Sequence, residues 1–289
     1  MNSKIESAAM VSMSFKKSHL MQPQFELLTR VLSAAVLIPF FLWVTYTGGW
    51  IFHGILMLVF MSALREWSRL STNSIFHPFC LAALIGVIAY HNVLDIPYLQ
   101  IIGGLAVLGA IYYQYPTLAL PSLHRWALFL SGLSYITVSM LCFIKISQQG
   151  MNSSLFLLWL YGIVWATDSG AYLVGKTLKG PKLCPKISPN KTWSGFIGGI
   201  AAAIISGLYL LKILGISLSS FIPNTLLILM IACAAHVGDL IESSVKRYFG
   251  VKNAGELIPG HGGVLDRLDS LFLVVILMGL FLLFGIINI

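Results

Sequence analysis

A polar stretch near the carboxyl end, residues 236–270, carries half of the chain's 10 acidic residues. Asp266 and Asp269 are three positions apart, so a helix places them on one face. With Asp239 opposite, three carboxylates would repel one another unless a divalent cation joined them. Oxygen ligands without cysteine or paired histidine suit Mg²⁺. The stretch predicts a Mg²⁺ site that serves phosphoryl or nucleotidyl transfer; ion pairs with Arg247 and Arg267 are the alternative.

The helix that precedes this site is expected to continue past residue 238. Asp239, Ser243 and Lys246 would then share one face, at offsets of four and seven. Glu242 and Lys246 are also four apart and could form an ordinary helix-supporting ion pair. The glycine-rich segment 258–263 allows the backbone to approach a phosphate. The second half of the stretch is therefore expected to bind an anion beside the metal.

A second polar stretch, residues 175–194, contains five lysines and three prolines. Ser188, Lys191 and Thr192 bring short donors together, as an anionic ligand requires. A basic loop that attracts anionic lipid is the alternative. Just upstream, Asp168 lies within a predicted apolar helix, where a carboxylate is costly unless it faces a polar cavity or a cation. We interpret Asp168 as a site residue; structural pairing with a lysine or arginine is the alternative.

The composition sets the class of protein. The 289 residues are 57% hydrophobic and 10% charged, with a mean hydropathy of +0.87. Repeated apolar runs of roughly 17–25 residues predict an all-α, polytopic helical membrane protein. The net charge of +8 is explained by basic cytoplasmic loops rather than by nucleic-acid binding. The four dispersed cysteines form no CxxC pair, which argues against zinc and a disulfide framework.

Nine transmembrane helices are predicted, and a count of eight is the alternative. The first 30 residues are polar, lack a signal-peptide pattern and are interpreted as a cytosolic tail. The predicted helices span 31–47, 50–64, 78–91, 98–113, 126–144, 155–174, 195–211, 221–238 and 265–287.

The charge distribution gives this arrangement an orientation. With nine helices, all of the 18 basic residues except Lys145 and Lys212 fall on one side. The positive-inside rule makes that side the cytoplasm, which includes the amino terminus. We predict a tail (1–30), an N-terminal transmembrane region (31–150) and a catalytic transmembrane region (151–289). The catalytic region carries two cytosolic loops, 175–194 and 239–264.

The motifs in these loops resemble those of a known family, phosphatidate cytidylyltransferase, also called CDP-diacylglycerol synthase. The resemblance is strong over about 166–270, and the first 150 residues agree only in being membrane-spanning. Its motifs here are Asp168–Ser–Gly–Ala–Tyr172, Ser188–Pro–Asn–Lys–Thr192, Ser243–x–Val–Lys–Arg247, Lys252–Asn253 and Ile258–Pro–x–His–Gly–Gly–x–x–Asp–Arg–x–Asp269.

The resemblance implies transfer of CMP from CTP to phosphatidic acid, giving CDP-diacylglycerol and pyrophosphate. It also implies Mg²⁺, a homodimer and, with the topology, a bacterial inner membrane and an active site that faces the cytoplasm. By position, the implied metal ligands are Asp239, Asp266 and Asp269. The other implied catalytic residues are Lys246, Arg247 and His261, and the substrate-binding residues are Asp168, Ser188, Lys191, Thr192, Ser243, Lys252 and Arg267.

Two positions depart from the family pattern. The family usually has aspartate where this chain has Asn253, and often glutamate where it has Ser194. Because the three metal-site aspartates are intact, we expect activity to survive. Two other functions are considered: the same reaction with another lipid phosphate, such as an archaeal ether lipid, and a transporter or lipid-binding protein. A transporter predicts internal repeats with broken helices, and the sequence contains none.

Overall fold

A computed structural model describes residues 23–72, 123–150, 152–216, 218–220, 223–258, 260 and 262–289. Helices dominate this part of the chain, with four short strands in two antiparallel pairs. The helices are α1 (Pro23–Thr47), α2 (Gly49–Thr72), α3 (Leu123–Ser147), α4 (Ser153–Leu178), α5 (Trp193–Leu214), α6 (Asn224–Tyr248) and α7 (Leu265–Leu283). The strands are β1 (Lys182–Cys184), β2 (Ser188–Thr192), β3 (Ser219–Ser220) and β4 (Ile287–Asn288).

Three of the described helices are long and apolar enough to cross a membrane, at Gly49–Ser71, Trp193–Leu214 and Asn224–Tyr248. Each of the seven described helices overlaps one predicted span, so the mostly helical class is confirmed. The predicted helices at 78–91 and 98–113 lie outside the described residues, as does the tail up to residue 22.

Several predicted boundaries are wrong in the same direction. α1 begins at Pro23 rather than 31, and α2 continues to Thr72 rather than 64, whereas α6 continues past 238 to Tyr248, as expected. Hydropathy marks where a helix leaves the apolar layer, whereas the backbone hydrogen bonds continue through the polar turns that follow. α7 ends earlier than expected, at Leu283, and β4 follows it.

The purely α description is corrected by the strands. β1 and β2 form an antiparallel pair inside the polar segment that was expected to be a loop. β3 and β4 pair near the carboxyl end, joining Ser219 to Asn288 and Ser220 to Ile287. Extended segments at the ends of a helix bundle satisfy backbone groups that no helix covers.

The tightest helix pair is α4 against α5. A Cβ added at Gly170 would lie 2.9 Å from the Gly198 carbonyl oxygen and nearer still to the Ala202 Cβ. Further along, the Trp159 indole donates to the Gly207 carbonyl over 2.9 Å. Close approach through small residues is a common way for apolar helices to associate in a membrane. α4 and α5 therefore act as one unit, which carries Asp168 and the hairpin.

The connections lie at opposite ends of the bundle. At one end, His53 of α2 meets the Ser147 hydroxyl of α3 at 3.0 Å, beside the short α1–α2 and α3–α4 turns. At the other end, the β1–β2 hairpin meets the last turn of α6, because Arg247 Nε donates to the Ile187 carbonyl over 3.3 Å. Both predicted polar loops are thus brought together at one end.

The α4–α5 contact predicts the effect of a single methyl group. Gly170→Ala should lower stability by about 1–3 kcal/mol, because the new Cβ meets backbone that cannot move without separating the helices. Gly54→Ala on α2 is the control, since no described atom lies within 4 Å of its added Cβ. Thermal unfolding of both variants in detergent measures the difference; an unchanged Gly170→Ala midpoint would contradict this packing.

Candidate active site

The β1–β2 hairpin leads directly into α5 through a capped helix start. Thr192 has extended backbone geometry, and its hydroxyl oxygen accepts from the Gly195 amide over 3.1 Å. The Ser194 hydroxyl lies 3.0 Å from that of Thr192 and donates to the Lys179 carbonyl. Threonine is a favoured N-cap because its oxygen satisfies an otherwise unpaired amide. Thr192 is therefore engaged in fixing the hairpin, and with it the direction of Lys191.

An ion pair connects the hairpin to α6. The Lys191 ammonium contacts Asp239 Oδ2, and the two side chains keep 22% and 28% of their surface exposed. The Ser243 hydroxyl donates to Asp239 Oδ1 over 3.2 Å. This contact confirms that positions 239 and 243 share a helix face. Both side chains are therefore partly exposed, although the Lys191 ammonium nitrogen itself is covered.

Three aspartates from three helices share this partly exposed region: Asp168 is exposed, whereas Asp239 and Asp269 are half-buried. Asp168 on α4 interacts electrostatically with Asp239 on α6 and Asp269 on α7, and also with Lys191 and Arg267. Its side chain is exposed although it belongs to an apolar helix. Such a carboxylate is expected where a polar cavity or a cation meets the helix. We call Asp168, Lys191, Asp239 and Asp269 the accessible cluster.

Beside it lies a second, buried group of charges. The Lys246 ammonium contacts Asp266 Oδ1 at 2.8 Å and Glu242 Oε1 at 3.3 Å. These side chains expose 10%, 7% and 12% of their surfaces, respectively. The expected pair between positions 242 and 246 is confirmed, but Lys246 has a second partner on α7. We call Glu242, Lys246 and Asp266 the buried cluster.

Asp266 also holds the segment between α6 and α7. Its Oδ2 accepts from the Ala254 amide and from the Gly263 amide, both over 2.9 Å. Ala254 N–H additionally lies 3.2 Å from Oδ1. Within this segment, the Ile258 amide donates to the Gly262 carbonyl over 2.8 Å. The carboxylate of Asp266 thus binds both sides of a closed turn, as well as Lys246.

The three predicted metal ligands consequently occupy different surroundings. Asp239 and Asp269 belong to the accessible cluster, and their side chains interact electrostatically. Asp266 faces Lys246 and the turn amides, which together use most of a carboxylate's acceptor sites. Across the described ranges, no three His, Cys, Asp or Glu side chains form a group ready to hold a metal ion.

The remaining predicted residues take several positions. Arg247 donates to two backbone carbonyls, of Ile187 and of Val251, rather than to a carboxylate. Lys252 and Arg267 are exposed, and Ser188 is half-buried in β2. His261 lies outside the described residues. Arg267 interacts electrostatically with Asp168.

One site residue, Glu66, was missed by the sequence reasoning. It lies on α2, and only 5% of it is exposed. Its Oε1 accepts from the Val264 amide over 3.0 Å and its Oε2 from the Leu265 amide over 2.9 Å. The predicted helix ends at residue 64, which leaves Glu66 outside it. With the helix extended by one turn, the rule applied to Asp168, that an acid within an apolar helix needs a partner, identifies Glu66.

The buried cluster predicts a stability contrast between two lysines. Lys246→Met should destabilise the protein by about 3–5 kcal/mol, because removal of one partner leaves buried carboxylates uncompensated. Lys252→Met, at an exposed position, should change stability by less than about 0.5 kcal/mol. Chemical unfolding in detergent compares the two. Equal effects would contradict the burial of the Lys246 contacts.

Comparisons with known proteins agree with this arrangement. The sequence model of the Cytidylyltransferase family matches residues 28–284. A phosphatidate cytidylyltransferase of Brucella suis biovar 1 (strain 1330) is 37% identical over 264 residues, covering 88% of this chain and 92% of the relative. A phosphatidate cytidylyltransferase of Staphylococcus aureus (strain COL) is 33% identical over 261 residues, covering 88% and 98%. The match extends over nearly every described helix and both charged clusters, so this chain belongs to the Cytidylyltransferase family.

Proposed function

We propose that this membrane protein transfers the CMP group of CTP to phosphatidic acid, giving CDP-diacylglycerol and pyrophosphate. The observation that carries the proposal is the accessible cluster, where Lys191 pairs with Asp239 at the end of an apolar bundle and Asp168 and Asp269, on two other helices, interact electrostatically with that site. A polyphosphate needs cations, a cation needs carboxylates, and a lipid substrate needs access from the membrane. The names of the relatives supply the substrates.

The reaction requires one bond to form and one to break. An oxygen of the phosphatidate phosphate attacks the α-phosphorus of CTP. The bond between that phosphorus and the oxygen bridging to the β-phosphate breaks, and pyrophosphate leaves with the bonding electrons. No covalent enzyme intermediate is needed, because the lipid phosphate is itself the nucleophile. The protein's contribution is to position the two phosphates and neutralise their charge.

Lys191 is the residue that we assign to the nucleotide phosphates. Its ammonium is held at the end of a capped hairpin strand, and its partner Asp239 is accessible. Arg267 interacts electrostatically with Asp168 and adds positive charge there, and Lys252 is exposed and is retained as a candidate for phosphate binding. Thr192 is proposed to act by fixing the hairpin to the start of α5, and Arg247 by holding the hairpin against α6. Ser188 and His261 are retained as candidates for substrate contact.

Mg²⁺ fits the chemistry of the accessible cluster. Asp239 and Asp269 provide hard oxygen ligands near each other, and Mg²⁺ is commonly bound by one or two carboxylates together with substrate phosphates. We propose Asp239 and Asp269 as its direct ligands. Asp266, the third candidate, could bind Mg²⁺ only through the oxygen lone pairs that are not already used by the turn amides and Lys246. When bound, Mg²⁺ supplies positive charge that offsets charge developing on the phosphates.

The topology is proposed from the charges. Nine transmembrane helices, with the amino terminus and both polar loops in the cytoplasm of a bacterium, place the site at the inner leaflet. The described part supports this by bringing segments 175–194 and 239–264 to one end, away from the short turns. We retain the division into a tail, an N-terminal region up to 150 and a catalytic region from 151, and a homodimer.

Release of pyrophosphate from CTP tests the proposed function. Purified protein should release it only with phosphatidic acid and Mg²⁺ together. Asp239→Asn and Asp269→Asn should each lower kcat by roughly 100-fold or more, because a group that stabilises transition-state charge is lost. Asp266→Asn should lower stability as well as rate, since its carboxylate organises the turn. Folded wild-type protein that releases no pyrophosphate would refute the function, and activity with an ether lipid phosphate alone would change the acceptor.

The departure at position 253 gives a separate prediction. Asn253 is exposed and lies close to Gly262, on the turn that Asp266 holds. Asn253→Asp restores the residue usual in the family and should leave kcat equal or higher, because it adds a carboxylate at the accessible edge of the site. The same pyrophosphate assay measures it, with Asn190→Asp in β2 as an exposed control. Loss of turnover in Asn253→Asp would mean that the amide itself is required.

A further inference from the structure

The start of α7 depends on a residue from a distant part of the chain. The first amides of a helix have no partner within the helix. Val264, at the N-cap position, makes no side-chain capping bond. The amides of Val264 and Leu265 donate instead to the two carboxylate oxygens of Glu66, 198 and 199 positions upstream. A carboxylate at this end is also favoured by the helix dipole.

Glu66 is itself held in place by its neighbour on α2. The Trp67 indole donates to the Phe129 carbonyl of α3 over 3.0 Å, and Trp67 is 7% exposed. A Cβ at Gly132 would overlap the Trp67 ring, so α2 and α3 are closely packed at this contact. The Glu66 carboxylate thus projects from a fixed segment of α2–α3 toward α7.

Two glycines leave the space that the carboxylate fills. A Cβ added at Gly255 or at Gly263 would collide with the Glu66 carboxyl group. Neither glycine is among those described with positive φ, so backbone conformation alone does not require glycine there. The turn that Asp266 closes is therefore fitted around Glu66 as well.

Glu66 cannot take a direct part in the chemistry. Both of its oxygens accept backbone amides, and its side chain is buried beneath the turn. What it does fix is the position of the first turns of α7, which carry Asp266 and Asp269. Removing an outer-shell partner of this kind typically costs about 10–100-fold in metal affinity or activity.

We propose that Glu66 is a positioning residue for the transfer reaction, which sets α7 and its two aspartates against α6. The proposal rests on the proposed function for its effect on rate. Its geometric content, the anchoring of the α7 start, is independent of that function. A merely structural role would reduce the amount of folded protein without changing the turnover or Mg²⁺ dependence of each folded molecule.

The test compares Glu66→Gln with Glu256→Gln in the full chain, in detergent. Glu256 lies in the α6–α7 segment but is exposed, so its variant should match wild type. Glutamine can accept only one of the two amides and turns its NH₂ group toward the other. Per folded molecule, Glu66→Gln should lower kcat by about tenfold or more and raise the half-saturating Mg²⁺ concentration. Hydrogen exchange at residues 264–266 should become faster.

A double-variant cycle keeps the proposal testable if Glu66→Gln folds poorly. Gly263→Ala should lower turnover by displacing the carboxylate, and should add little once Glu66→Ala has removed that carboxylate. Additive effects of the two substitutions would overturn the proposal, as would unchanged exchange at 264–266 in Glu66→Gln. If wild-type protein releases no pyrophosphate, the proposed function fails, whereas the exchange result still decides whether Glu66 anchors α7.

Discussion

The carboxylate of Asp266 is the point on which the geometry of the site depends. It accepts from the Lys246 ammonium of α6 and from the amides of Ala254 and Gly263 in the connecting turn. One side chain on the first turn of α7 thus ties together the end of one helix, the turn and the start of the next. A buried carboxylate is tolerated only when it is fully hydrogen-bonded and paired. The turn supplies two of those partners, the amides of Ala254 and Gly263, and these hydrogen bonds in turn hold the turn in place.

The charges at this end of the bundle divide by exposure. Glu242, Lys246 and Asp266 are buried, and their mutual contacts join α6 to α7. Asp168 is exposed and Lys191, Asp239 and Asp269 are partly exposed, and they come from α4, the hairpin, α6 and α7. Burial strengthens an ion pair but makes its separation costly, so the first group suits a scaffold. Accessible charges can exchange partners with a ligand at lower cost, so the second group suits binding.

The sequence predicted the local geometry of this end of α6, because helical spacing is local information. The spacing of Asp239, Ser243 and Lys246 follows from helical periodicity, and the structure places the first two in contact. The predicted pair between Glu242 and Lys246 was also found. Hydropathy located all seven described helices. It placed some of their ends too early, because a helix can continue through polar turns that hydropathy does not detect.

The contacts that were missed all join distant segments. No periodicity relates Glu66 to Val264, or Lys191 to Asp239, since each pair is set by how helices pack. The hairpin at 182–192 was also missed, because proline and lysine there indicate a loop and only the pairing partner reveals a strand. The direction of the Asp266 side chain is the same kind of problem: residue type and spacing place it near Asp269, but the turn amides decide where it points.

The ion pair between Lys191 and Asp239 has a consequence for how ligands arrive. A phosphate that attracts the ammonium away from Asp239 leaves that carboxylate without its counter-ion, beside two other acids. A cation that attracts Asp239 likewise leaves the ammonium free for an anion. The nucleotide thus frees Asp239 for the cation, and the cation frees the Lys191 ammonium for the nucleotide. Under the proposed function, each ligand should therefore increase the affinity for the other, by the same factor whichever binds first.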